Sequence, residues 1–301
     1  MKIGIDASIL ARKKITGINR FLKFNEFVKK LKNSYTSNKI EIRNEPSFKP
    51  NSEWIFLNVE RFYRAFVFLE NFIKVKQTDK LVLCDVGAYP FTFLKIVKFF
   101  YPKIKLYSIG IHDEDLIPSN IKESVNLLNV NLDPWVCMLP QKMNYSIKIP
   151  LSDNNLDIII FTEVIEHLYN PVFVLREFYR ILKPGGQLYL TTNNISYFYG
   201  IYKILKGETN LDVELDQTSI DFKNEYPSSW RGHVRFYSLN QLEEILTKKM
   251  DFKLVKKTYF ETFSIDSKLG RKKYIDIIRR HIINSSFFPG RYWTVPANID
   301  T

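Results

Sequence analysis

Cysteine and long apolar runs are the two things this sequence has least of. Its two cysteines, Cys84 and Cys137, lack metal-ligand spacing, and Cys84 falls inside an apolar stretch. That excludes a disulfide framework and fits a reducing compartment. No apolar run reaches the ~20 residues that span a bilayer. The opening "MKIGIDASILARKK" places an early Lys2 and then Asp6 within its apolar stretch, unlike a secretory signal. A cytoplasmic protein is expected. Internal repeats are missing, and so is any recognisable nucleic-acid module. The net charge of +12 and pI near 9.4 are spread over scattered side chains in a chain rich in Asn and Ile. Codon bias produces such a balance without a polyanion, so no nucleic-acid partner is expected.

What is present suffices for a large core: 301 residues, 45% of them hydrophobic. "KIGIDASIL" reads as a short strand. "TGINRFLKFNEFVKKLK" reads as a helix with Thr16 as cap and Phe21, Phe24, Phe27, Val28 and Leu31 on one face. A polar linker follows, and then "WIFLNVERFYRAFVFLENFIKVKQ", a second and unusually aromatic helix whose aromatics suit a core or a dimer contact better than a lipid anchor. From residue 79 short apolar strands ("KLVLCDVG", "KIKLYSIGI", "SVNLLNVNLD", "LDIIIFTEV", "QLYLTTNN") alternate with amphipathic helices. One of these, "NPVFVLREFYRILKPGG", ends in a Pro-Gly-Gly stop. Such alternation predicts a mostly parallel sheet covered on both faces. Residues 195–235 break the rhythm as an insertion or lid, "SLNQLEEILTKKM" returns to helix with Ser238 as N-cap, and "FKLVKKTYF" and "RYWTVPA" supply the last two strands.

Chemistry gathers at strand ends. "LVLCDVGAYPFTFLK" runs from a buried strand through Asp85 and Gly87 into a helix, with Tyr89, Pro90 and Phe91 where a second glycine would be expected. Ligands of open α/β sheets sit beyond such carboxyl ends, and Gly87 lets a ligand approach the backbone. A plain strand-to-helix turn is the competing reading of the segment by itself.

Residues 149–194, "IPLSDNNLDIIIFTEVIEHLYNPVFVLREFYRILKPGGQLYLTTNN", closely resemble the class I S-adenosylmethionine-dependent methyltransferases (type 11/23-like). "LCDVGAYPF" then resembles the family's first glycine motif, and "HVRFYSLNQLEEILTKKMDF" its late segment. The resemblance covers roughly residues 79–260 and implies an α/β, Rossmann-like, doubly wound, mostly parallel seven-stranded sheet. An N-terminal arm over 1–75 and a methyltransferase domain over 76–301 are expected.

The resemblance also implies a cofactor, S-adenosylmethionine, and no metal. Asp85, Gly87 and Tyr89 fall where the family borders the cofactor's methionine part. Asp113, with Asp115 in reserve, stands beside His112 at the usual place of the ribose acid. Asp133 ends the third strand near the adenine, and Glu163 lines the pocket near the sulfonium. Phe91 replaces a glycine common in the family, so its side chain must point away from the cofactor. Because the sulfonium methyl is already activated, catalysis is largely alignment, and a hydroxyl acceptor gains from a general base. His167 and His233 are the two candidates. Each has a structural alternative, His167 organising the turn after the fourth strand and His233 bridging the insertion to the core.

The implied acceptor is a hydroxyl or amine on a sugar or glycolipid. That context comes from "MKIGIDASIL…TGINRF", whose first twenty or so residues resemble the opening of family 4 glycosyltransferases. The competing expectations are a quinone or small-metabolite acceptor, and a cofactor-free scaffold motivated by Phe91 and the displaced ribose acid. The basic stretch "GRKKYIDIIRRHIINSSFF" is read as a solvated helix, with contact to an anionic membrane surface as the alternative. The acidic residues Asp212, Glu214, Asp216 and Asp221 lack a calcium-loop glycine pattern and are read as a solvated lid.

Overall fold

The computed structural model describes residues 23–34, 58–89, 91–112, 117, 119–132, 148–196, 198–207, 233, 235–260 and 292–298. The expected first strand, most of the lid, the basic C-terminal helix, Asp113, Asp115 and Asp133 lie outside these residues.

Five strands run parallel: β1 (Val82–Val86), β2 (Lys105–Gly110), β3 (Val125–Asn129), β4 (Leu156–Thr162) and β5 (Leu182–Asn193). Three short or late strands, β6 (Lys253–Leu254), β7 (Thr258–Phe260) and β8 (Tyr292–Asn298), complete an eight-stranded sheet. Its order is β3-β2-β1-β4-β5-β8-β6, with β7 also on β8, and β8 is antiparallel to β5, β6 and β7.

The doubly wound class is as expected; the count of seven strands is not. β6 and β7 follow one another along the same edge of β8, pairing Lys253 with Asn298 and Phe260 with Tyr292. Leu254 faces Ala297 but Thr258 faces Thr294, so one extra residue is accommodated between them. That is a β-bulge, and it splits the single strand read from "FKLVKKTYF". A second difference lies in "KPGG": β5 already begins at Leu182, pairing with Leu156, and the register breaks before Ile158 meets Gln187. The Pro-Gly-Gly segment is thus an irregularity inside a strand. Gly185 has φ 70°, and a Cβ on Gly186 would lie 2.8 Å from the Lys183 carbonyl oxygen.

Strand periodicity sorts the core into two layers. Leu83, Leu106, Ile158, Ile160 and Tyr189 face one cluster, while Cys84, Tyr107, Ile159, Phe161 and Leu190 face the other. The short helix α6 (Phe198–Leu205) follows β5. The second layer is covered by α5 (Pro171–Ile181) and α7 (Leu239–Glu244), the latter continuing as a wider turn to Lys249. Ser238 closes a capping box with Gln241, as its position predicts.

The first layer is covered by α1 (23–34), α2 (Val59–Lys76) and α3 (Thr92–Phe100), whereas α4 (Ser119–Ser124) leads directly into β3. In α1 Phe24, Phe27 and Leu31 are buried; in α2 Phe62, Phe66, Leu69 and Phe72 are buried against the same cluster. Burying each such side chain contributes roughly 1.5–3 kcal/mol. The aromatic helix α2 is therefore part of the sheet's own core. Among the described residues no helix is long and apolar enough to cross a membrane.

Candidate active site

β1 pairs with β2 on one side and β4 on the other, both parallel. The chain winds outward from β1 in opposite directions, so the carboxyl ends of β1 and β4 flank the topological switch point. Gly87 ends β1 with φ 67°, donates its amide to the Ile109 carbonyl at 2.9 Å, and is exposed. A Cβ there would meet Val164 Cγ2 at 2.7 Å. Both conformation and space demand glycine.

Asp85 shares the parity of Leu83 and points to the α2 side, where it is 4% exposed. Burial pushes its carboxyl up to about 8, against the opposing pull of the Arg61 guanidinium on α2. Tyr89 stands half open at the rim of the turn. Phe91 is 1% exposed and packs into the first core layer, its ring 6.2 Å from Tyr89 and 5.8 Å from His112. Its side chain therefore leaves the turn clear, at the cost of a left-handed φ of 65°. His112, which the sequence resemblance puts at the place of the ribose acid, turns inward, its Nε2 3.3 Å from the Ser108 carbonyl oxygen; burial lowers its pKa.

Beyond β4 the backbone is strained and the polar groups are dense. Glu163 has φ 55°, donates its amide to the Thr191 carbonyl at 3.0 Å and accepts from Thr191 Oγ1 at 2.7 Å. Glu166, in the 3₁₀ turn Ile165–His167, is fully buried and accepts from Thr192 Oγ1 at 2.7 Å. Burial raises both pKa values, and the Glu163 charge raises Glu166 further; Arg61 opposes both rises. Arg61 thus acts on the buried Asp85 and Glu166 and on the half-buried Glu163.

His167 and His233 come together, with ring centroids 4.7 Å apart. The segment carrying His233 is stitched to the strand ends. Arg235 donates its amide to the Glu166 carbonyl (3.2 Å) and its Nη2 to the Tyr169 carbonyl (3.2 Å), while Ile195 donates to the Tyr237 carbonyl (3.1 Å). Asn193 Nδ2 lies 3.5 Å from both Glu166 Oε1 and His233 Nε2.

Of the residues expected from sequence, Asp85, Gly87, Tyr89, Glu163, His167 and His233 all lie on the carboxyl edge of the sheet. Glu166, Arg61, Thr191 and Thr192 were missed. Glu166 was visible three residues after Glu163 in "EVIEH"; Arg61, on a helix that read only as aromatic, carried no local signal.

The cofactor's methionine end carries an ammonium and a sulfonium, both positive. A buried carboxyl at Asp85 that an ammonium would ionise, a turn opened by Gly87 and the displaced ring of Phe91 fit such a group. The profile of the family described as "Methyltransferase domain" matches residues 57–257, a span that includes α2. No curated protein matches the chain. Among solved structures, a SAM-dependent methyltransferase from Archaeoglobus fulgidus is 20% identical, with 81% of this chain and 99% of that one covered and a TM-score of 0.44. One from Aquifex aeolicus is 15% identical, covering 73% and 82%, with a TM-score of 0.41. With the family profile over two thirds of its length, the chain belongs to the methyltransferase domain family: it is a class I enzyme whose cofactor is S-adenosylmethionine.

Proposed function

We propose that the enzyme transfers a methyl group to a hydroxyl of a sugar or glycolipid-type acceptor. The observation that carries this reading is the His167–His233 pair, 4.7 Å apart, beside Glu163 and the buried Glu166 and one strand away from the Gly87 turn. An amine acceptor, once deprotonated, needs alignment only. A hydroxyl needs help losing its proton, and paired imidazoles at the strand ends suit that need. The sugar class rests on the opening residues' resemblance to glycosyltransferases, and a wide polar cleft would suit it better than a narrow apolar one.

The cofactor, when bound, supplies a methyl on a sulfonium that leaves as a neutral thioether. The chain does the rest by holding groups in place. Asp85 would hold the ammonium, and Gly87 and Tyr89 would border the methionine part; Asp113 and Asp133 are assigned the ribose and the adenine from the sequence resemblance alone. Glu163, its carboxyl held by Thr191 Oγ1, would line the sulfonium side. His167 and His233 face the reacting hydroxyl, accepting its hydrogen bond and its proton.

The test has two stages. Titration of purified protein with S-adenosylhomocysteine should give micromolar binding, about −8 kcal/mol, weakened in Asp85→Ala and in Asp113→Ala. Methyl transfer from radiolabelled S-adenosylmethionine is then measured on panels of glycans, glycolipids, quinones and amines. Label entering only quinones or amines would sink the sugar reading and leave the cofactor site intact.

A further inference from the structure

Glu166, His167 and His233 place one candidate ligand atom each within 4.8 Å of one another. Two nitrogens and one carboxylate oxygen make a borderline donor set that suits a first-row divalent ion better than magnesium or calcium. We propose that these three residues form a divalent-cation site that binds and activates the acceptor hydroxyl. The proposal rests on the reading above for the hydroxyl acceptor, though not for the metal, and puts the ion in place of the histidines as the group that removes the hydroxyl's proton.

Three independent features support the site. The donors come from separate supports, two from the 3₁₀ turn after β4 and one from the stitched segment before α7, so they converge by tertiary structure. Donors bound at about 2.1 Å to one ion sit roughly 3–3.5 Å apart. The observed spread therefore needs closure by up to about 1.3–1.8 Å, within the range of side-chain torsions.

The second feature is charge. Glu163 stands three residues before Glu166 at the same strand end, its carboxyl held by Thr191 Oγ1 at 2.7 Å. A divalent ion at the cluster would offset the negative charge that two neighbouring carboxyls bring there.

The third feature is orientation. Thr192 Oγ1 donates to Glu166 Oε2 at 2.7 Å, which fixes the carboxylate and leaves Oε1 toward Asn193, whose Nδ2 also lies 3.5 Å from His233 Nε2. Such outer partners are what set ligand direction in metal sites.

The chemistry balances without an outside reactant. With the acceptor hydroxyl on the cation, its proton passes to solvent and its oxygen forms the new C–O bond to the methyl carbon. The carbon–sulfur bond breaks, and its electron pair returns to sulfur as S-adenosylhomocysteine. The imidazole lone pairs are then engaged by the metal, so acidification by the ion takes over the role of base. An ion with two open positions would favour vicinal hydroxyls, as found on sugars.

The test uses full-length protein stripped with chelator and titrated with Co²⁺, then Zn²⁺. One equivalent of Co²⁺ with visible d–d absorption is expected, displaced by Zn²⁺. Affinity should fall at least tenfold in His233→Gln and in His167→Gln, each checked for a wild-type-like melting curve. Absent stoichiometric binding, or binding unchanged in both variants, overturns the site. S-adenosylhomocysteine binding is titrated on the same samples. Its retention without metal binding rejects the cation and leaves the histidine-base reading standing, whereas loss of both rejects the two together.

Discussion

Val164 Cγ2 stands 2.7 Å from the point where a Cβ on Gly87 would project. These two residues bring the ends of β1 and β4 together at the switch point, and their contact sets how tightly the turn after β1 can close. The opening left above the turn exists because Gly87 has no side chain.

Gly87→Ala should therefore lose the cofactor before it loses the fold. A left-handed alanine costs about 1 kcal/mol or more, and the new methyl must displace Val164. Calorimetric titration should show at least a tenfold loss of affinity for S-adenosylhomocysteine. A double variant, Gly87→Ala with Val164→Ala, should recover part of it.

Phe91 presents the opposite balance. Glycine there would relieve the strain of φ 65°, about 1–3 kcal/mol. It would also remove a ring that is 1% exposed, and truncating a buried Phe costs about 3–5 kcal/mol. Phe91→Gly should be destabilised by roughly 2 kcal/mol, and Phe91→Ala, which keeps the strain, by more. Urea unfolding of the two variants measures the difference; a stabilised Phe91→Gly would show that the ring contributes little.

Asp85 should make stability fall with pH. Its carboxyl is raised from 3.8 to about 8, so across that window the folded chain keeps a proton the unfolded chain has released. The contribution is whole at the acid end, shrinks as pH rises, and is gone above the upper value, where an ionised carboxylate must stay buried. Asp85→Asn removes this dependence. Variant minus wild type, the unfolding free energy should grow by up to about 1.4 kcal/mol per pH unit within the window. Denaturation at roughly pH 5 and roughly pH 9 tests the sign. A cofactor ammonium beside Asp85 would also expel the proton, so the binding enthalpy near pH 7 should change with the buffer's ionisation enthalpy.

Arg180 offers a structural contrast. Its guanidinium donates to the carbonyls of Ile149 (2.9 Å) and Leu151 (2.8 Å) and pairs with Asp153 and Glu177 (2.7 Å each). It clamps the loop before β4 onto α5. Arg180→Met should cost about 2–4 kcal/mol with cofactor affinity changed less than threefold, and Arg180→Lys should restore little because a point charge cannot fork. A collapse of cofactor affinity in a folded Arg180→Met would show that the loop's position governs the site.

Much of the architecture was legible because it is periodic. Within the strands read from "LDIIIF" and "QLYLTT" successive side chains fall on opposite faces, so Ile158 parts from Ile159 and Tyr189 from Leu190; which of them share a layer waited on the register between the strands. Capping at Ser238 is equally local, a hydroxyl three residues from a glutamine. The bulge between β6 and β7 was not legible, since it depends on register with β8, far along the chain. The strand inside "KPGG" was hidden for the same reason: Leu182 pairs with Leu156 although the local residues signal a turn.

The site divides likewise. The sequence by itself determined which carboxylates, glycine and histidines stand at strand ends, because strand ends follow from local pattern and turn residues. Tertiary structure alone decided what those groups do to one another. It brought the charge of Arg61 on α2 to bear on Asp85, Glu163 and Glu166, turned His112 inward, folded Phe91 away from the turn and brought His233 beside His167. Charge coupling and ligand geometry depend on distances of a few ångströms between residues remote in the chain, and only packing fixes those distances.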